Sequence, residues 1–291
     1  MTIVLGTHVH PATGAAERRQ QNGLQSLRSL RNVVLMNLQF HDRVNLRSAD
    51  GFETCPVLRQ DSQIVSGRDG VRKPIVSEMF QRLAEHARGQ DCRYFGFVNS
   101  DILVGQEAIE LACGGGKQAT IFSRMDFDGP TGRDLGMLIY GADLFIVDAQ
   151  WWLIRRRLFR SYVVGESCWD NVYAAQLLCH ADAVLLNRRP LIRHERHEGA
   201  WRDSPFAGYN HFLAALDACY FSHWARYIHH LTELRTQSAD PDEEMDWQTQ
   251  AFRWRPTLKS RTLQACRSAK VRLRSLILGL RFALGSCERE T

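Results

Sequence analysis

Three short stretches of the chain gather residue types that do chemistry. In Phe97-Val98-Asn99-Ser100-Asp101 a hydrophobic run closes on an amide, a hydroxyl and a carboxylate. Ligands of open α/β sheets bind at the carboxyl ends of strands. An Asp there is placed to hold a hard divalent cation, which neutralises the phosphates of a nucleotide; a plain Asn/Asp turn is the competing reading. In Glu166-Ser167-Cys168-Trp169-Asp170-Asn171, Asp170 at the start of a helix is either a cap or a general base for a hydroxyl nucleophile, with Glu166 as the rival carboxylate. In His194-Glu195-Arg196-His197, two imidazoles three residues apart can share a metal ion or a phosphate, unless the segment is only a solvated charged surface.

A fourth pair, His8 and His10, follows the first apolar run. Joined by His194 and Asp101 it would make a zinc site with an activated water, the chemistry of a metal-dependent hydrolase. Against this, Pro11, Thr13 and Gly14 read as a simple polar loop, and the chain lacks the eight strand and helix repeats of the barrel in which that pair usually works.

The elements that must position these residues follow from hydropathy. Ile3 to Leu5 and Val33 to Asn37 read as buried strands around a helix over 17–31 with Leu24, Leu27 and Leu30 at helical spacing. Strand, helix, strand begins a parallel α/β sheet. A helix is expected over 74–87, with Pro74 in its first turn, leading into a strand over Tyr94 to Val98. Further β-like runs lie over 119–122, 135–147 and 183–186, and a helix over 169–180.

In chain order, a strand ending in Asn99-Ser100-Asp101, the run Gly141-x-Asp143-x-Phe145, the run Gly165-x-x-x-Trp169-Asp170-Asn171 and a late His194-x-x-His197 resemble the GT-A-fold glycosyltransferases, in particular bacterial family-2-like enzymes. Gln20, Gln21, Leu24 and Ser26 are similar to that family's first helix, and Gly70 to Pro74 to its approach to the metal-binding strand. The resemblance implies a GT-A-like (Rossmann-like) α/β fold over residues 1–200: a mixed, mostly parallel sheet flanked by helices, with a helical C-terminal extension. It implies sugar transfer from a nucleotide-diphosphate donor to a saccharide or lipid-linked acceptor in cell-surface polysaccharide biosynthesis, with Mg²⁺ or Mn²⁺. By the same resemblance Asp101 holds the metal, Asn99 and Ser100 adjoin the nucleotide-sugar, and His194 or His197 closes the diphosphate site. Thr7 lies near the nucleotide base, Asp170 activates the acceptor, and Asp143, Trp169 and Asn171 line the acceptor side. The family's usual acid-x-acid triplet is one carboxylate short here, which implies weaker metal binding. An inactive glycosyltransferase-like binding protein is the alternative beside the hydrolase.

Composition fits a folded chain, with 44% hydrophobic and 24% charged among 291 residues. The eight cysteines are scattered without a CxxC pair, which reads as buried free thiols of a reducing compartment. With no signal-like or bilayer-spanning run, a cytoplasmic location is expected. The net charge of +5 divides unevenly: residues 253–291 carry ten basic and two acidic residues, hence +8, leaving −3 for the rest. The expected organisation is a catalytic domain to 200, a helical aromatic extension over 201–237, an acidic linker over 238–252 and a basic amphipathic tail over 253–291. The tail interleaves its charges with Leu263, Val271, Leu273, Leu276, Ile277, Leu280 and Leu284. That is more aliphatic surface than a nucleic-acid arm needs, so an anionic membrane inner face is the expected partner, a packed C-terminal helix being the alternative. Trp201, Arg202 and Tyr209 are candidate acceptor contacts, since aromatic faces stack on sugar rings.

Overall fold

The computed structural model describes residues 2–44, 50–138, 141–187, 189–197, 204–222, 224, 225, and then 269, 273, 276, 277 and 280. Trp201, Arg202, the linker over 238–252 and nearly all of the tail lie outside the described residues.

The first half runs β1 (Ile3–Thr7), α1 (Gly14–Arg28), β2 (Val33–Phe40), β3 (Glu53–Leu58), α2 (Ser62–Ser66), α3 (Val76–Gly89), β4 (Tyr94–Val98), β5 (Ile102–Val104) and α4 (Gln106–Gly114). The second half runs β6 (Ala119–Phe122), β7 (Arg124–Phe127), β8 (Asp134–Leu138), β9 (Leu144–Asp148), α5 (Ala149–Arg155), α6 (Trp169–His180), β10 (Ala183–Leu186), β11 (Ile192–Glu195) and α7 (Ala207–Leu216).

Seven strands form the main sheet in the order β10-β6-β9-β4-β1-β2-β3. All its pairings are parallel except those of β9, which runs against both β4 and β6. Both faces are covered, so the strands are apolar on both sides, as parallel strands require. Along β4 the alternation is direct: Phe95 and Phe97 enter the core under α3, α5 and α6, while Tyr94 and Val98 enter the core under α1 and α4. Phe80 of α3 anchors the first core, its ring within 5.0–5.9 Å of the rings of Phe95, Phe97, Phe145, Trp152 and Tyr173. Truncating so central an aromatic costs about 3–5 kcal/mol.

A second, four-stranded sheet, β5-β11-β7-β8, stands over the carboxyl ends of the main strands. Hydropathy did not reveal it, because its strands are short and, β5 apart, half polar. The run over 135–147 turns out to be two strands in different sheets, β8 and β9. Pro74 is also not a first-turn residue: α3 starts at Val76 with Ile75 as its cap, and Pro74 instead presents its carbonyl to the Val164 N–H at 3.0 Å.

Candidate active site

The Asn99-Ser100-Asp101 segment is a turn held by its own backbone, Ile102 N donating to Asn99 O at 3.2 Å. It is also clamped from α1. Gln20 Nε2 donates to Ser100 Oγ at 3.2 Å and lies 3.1 Å from His10 Nδ1, while Ser26 Oγ takes the Val104 N–H at 3.1 Å. Only glycine fits at position 23 in this clamp, because a Cβ there would meet Ser100 O at 2.3 Å and Asp101 Cα at 3.0 Å. The result is an Asp101 aimed at a fixed point.

The second sheet delivers the histidines to that point. β11 lies between β5 and β7, with His194 opposite Ile102 on one side and in register with Asp126 on the other. His194 is therefore inside a strand, and His197 follows it. Nε2 of His194 lies 3.1 Å from Nε2 of His197, and Asp101 Oδ2 lies 3.5 Å from the first and 3.3 Å from the second. Burial works against charge on Asp101, but the two imidazoles outweigh it and hold the carboxyl well below the usual carboxylate range. Burial likewise opposes charge on His194, and Asp101 and Asp126 overcome it, raising that imidazole.

These three side chains fit one metal ion. Their ligating atoms all lie within 4.8 Å of one another, and adjacent ligands on a six-coordinate ion with bonds near 2.1 Å sit roughly 3 Å apart. Two imidazoles and one carboxylate suit Mn²⁺, Fe²⁺ or Zn²⁺ better than Mg²⁺, which prefers oxygen. The chain is thus one carboxylate short of acid-x-acid but one imidazole richer.

Apart from that cluster, α6 begins through Cys168, a non-glycine residue at φ 78°, which turns the chain so that Asp170 falls in the first helical turn. Asp170 Oδ2 accepts from Ala142 N at 3.3 Å and from Asn171 Nδ2 at 3.4 Å. Burial, then the neighbouring charge of Asp143, push its pKa up to about 7 despite those donors and Arg124. Asp143, buried just before β9, accepts from Arg124 Nη1 at 2.9 Å. The Asp170 carboxylate, raised to about 7, changes between ionised and protonated near neutrality, the condition a general base needs.

The structure puts other expected residues to different uses. Glu166 is turned inward with a fully buried side chain, and its Oε1 takes Lys73 Nζ at 2.6 Å and the Ser204 hydroxyl. A carboxylate so engaged is poorly placed to deprotonate a ligand, which leaves Asp170. Trp169 is core, not an acceptor platform: it is 3% exposed and packs against Phe97 and Phe145. Tyr209 is half-buried and packs against Phe206 and the aromatic core. Thr7 is fully buried, with an Oγ1 that has no hydrogen-bond partner. His8 gives its Nδ1 proton to Leu38 O at 2.7 Å, packs edge-on to Phe40 and is lowered by burial to about 4. Neither His8 nor His10 belongs to the metal-type cluster found among the described residues, so the His8/His10 hydrolase site does not assemble. The hydropathy reading missed Arg124 and Asp126, although Arg-x-Asp alternation after Phe122 marks one face of a strand.

No family model and no curated protein sequence matches the chain. Solved structures do. The chain is similar to residues 1–349 of S. aureus TarS in complex with UDP-GlcNAc, with TM-score 0.52 and 11% identity over 94% of this chain and 81% of that one. A structure titled simply S. aureus TarS matches at TM-score 0.48 and 11% identity, covering 94% of this chain and 49% of that one. At such identity the likeness is one of fold. The chain has the mixed, mostly parallel GT-A-like α/β sheet flanked by helices that the sequence led us to expect.

Proposed function

We propose that the protein is a glycosyltransferase that moves a sugar from a nucleotide-diphosphate donor to a hydroxyl of a saccharide or lipid-linked acceptor, in cell-surface polysaccharide assembly. The observation that carries this reading is a pair of groups linked through Arg124: a metal-type cluster of Asp101, His194 and His197, and a separate carboxylate, Asp170, raised to about 7. The fold shared with a protein crystallised with the nucleotide-sugar UDP-GlcNAc supports it.

In this reading Asp101, His194 and His197 would hold a divalent cation, Mn²⁺ in preference to Mg²⁺, whose charge stabilises the departing nucleoside diphosphate. The Asp170 carboxylate takes the proton of the acceptor hydroxyl as that oxygen attacks the anomeric carbon. The bond from that carbon to the diphosphate oxygen breaks on the opposite face, so a single displacement inverts the configuration. The Ala142 N–H and the Asn171 amide fix the Asp170 carboxylate through Oδ2, and burial, with the neighbouring Asp143, makes it basic enough to take the proton. Lys73 reaches the same cleft, where its charge acts on His10, as does that of Asp101.

The test is a thermal-shift screen of nucleotide-sugars with and without Mn²⁺, followed by product analysis with the donor that stabilises. A ligand that binds only the native state raises Tm. A metal-dependent rise with one donor, and transfer from it, is expected; no rise from any donor would defeat the reading.

The acceptor and place of action are proposed from the tail. Leu273, Leu276, Ile277 and Leu280 are helical and 44–60% exposed. They recur at i, i+3, i+4 and i+7 among Lys270, Arg272, Arg274 and Arg281, the pattern of a helix lying on an anionic bilayer. Among the described residues no helix is long and apolar enough to cross a membrane. Deleting 253–291 should abolish salt-sensitive binding to anionic vesicles; unchanged binding would remove the tail from the proposal.

A further inference from the structure

One side chain touches both halves of the cleft. Arg124, on β7, is largely buried and forks: Nη1 lies 2.9 Å from Asp143 Oδ1, and Nε lies 2.8 Å from Asp126 Oδ1. Asp126 in turn stands behind the metal-type cluster, its Oδ1 3.4 Å from His194 Nδ1, an ion-pair contact that leaves that nitrogen without a hydrogen bond. Asp143 stands beside the base. Its second oxygen is buried without a hydrogen-bond partner, and a Cβ placed on Gly141 would lie 3.5 Å both from that oxygen and from Asp170 Oδ2. A Cβ there would also meet Leu138 Cδ2 at 3.3 Å, so glycine keeps the ground between the two carboxylates free of a side chain.

We infer that Arg124 is a positioning residue shared by the two half-sites, holding Asp143 as a fixed negative neighbour of Asp170 and Asp126 as the negative neighbour of His194 Nδ1. Guanidinium is suited to this because its planar fork donates in two directions at once, whereas an ammonium is a point charge. Carboxylates behind metal-binding imidazoles set ring orientation and ligand basicity. On the other arm, the groups facing Asp170 are Asp143 ahead of β9, Arg124 on β7, and the neutral Ala142 N–H and Asn171 amide. Burial first raises the proton affinity of Asp170, Asp143 raises it further and Arg124 lowers it, so the pair adjusts the pH at which the base becomes available. This arm rests on the reading of Asp170 as the base; the Asp126 arm does not.

The experiment uses the full chain and two readouts, the pH dependence of transfer and the affinity for Mn²⁺ alone measured by titration. Asp143→Asn should move the acidic limb of the rate profile down by about one pH unit and leave Mn²⁺ affinity unchanged. Asp126→Asn should weaken Mn²⁺ about 10–100-fold and leave the limb in place. Arg124→Gln should do both, with the limb moving up, and Arg124→Lys should restore the limb more fully than the Mn²⁺ affinity. If Arg124→Gln fails to fold, the two Asp variants still test the arms separately. A uniform loss of rate in every variant, with limb and Mn²⁺ affinity unmoved, would make Arg124 merely structural and overturn the inference. If Asp170→Asn transfers normally, the base reading fails, and the Mn²⁺ readout alone then decides the Asp126 arm.

Discussion

Asp101 and Asp170 are the same residue type in one cleft, and the protein drives them in opposite directions. Asp101 is held far down by two imidazoles, whereas Asp170 is raised to about 7 by burial and Asp143. The lesson is that roles follow from neighbours. A carboxylate that must remain an anion is given cationic partners, and one that must accept a proton is given another carboxylate and little water.

The largest effect that would break this contrast is loss of the base. Asp170→Asn should lower kcat about 10²–10⁴-fold while Mn²⁺ titration stays normal; Asp101→Asn should do the reverse first, losing Mn²⁺ binding and transfer with it. Near wild-type transfer by both variants would end the division of labour.

The next effect is pH. A base raised to about 7 works only when ionised, so kcat/KM should rise about tenfold per unit up to that pH and level off above it. Asp101, being lowered, stays ionised through that range and adds no second limb near neutrality. A profile flat from pH 5 to 8 would mean that Asp170 is not the titrating group.

A third test acts on the donor half through packing alone. Gly23→Ala drives a Cβ into Ser100 O and should destabilise by about 1–3 kcal/mol, read as a lower Tm together with weaker Mn²⁺ binding. Gly89→Ala, with open space around it, is the control that should not lower Tm. The smallest expected effect is cation choice: Mn²⁺ should support more transfer than Mg²⁺ at equal concentration, because two of the three ligands are imidazoles.

The sequence carried the main sheet except β3, together with Asp101, His194 and His197 of one half-site and Asp143 and Asp170 of the other. Tyr94 to Val98 is nearly all apolar, so its burial on both faces and the polar turn after it could be read directly. His194-x-x-His197 was visible as a pair, but its strand was not, since Ile192 to Glu195 alternates like a surface segment and becomes a strand only between β5 and β7. Arg124 and Asp126 were hidden for the same reason. Glu166 and Trp169 misled because type and position along the chain do not say which way a side chain turns; Lys73 draws the first inward, and the rings of Phe97 and Phe145 bury the second.

The reversed strand β9 has a consequence for where substitutions would act. Parallel strands present only their last residues to the cleft, whereas β9, running the other way, presents its first, with Asp143 and Gly141 just ahead of it. The acceptor half is thus built on chain that arrives at the cleft, and the donor half largely on chain that leaves the ends of β4 and β11. Under the proposed transfer, substitutions ahead of β9 and α6 would act on the acceptor half and leave the residues that follow β4 and lie on β11 in place, with Arg124 joining the two.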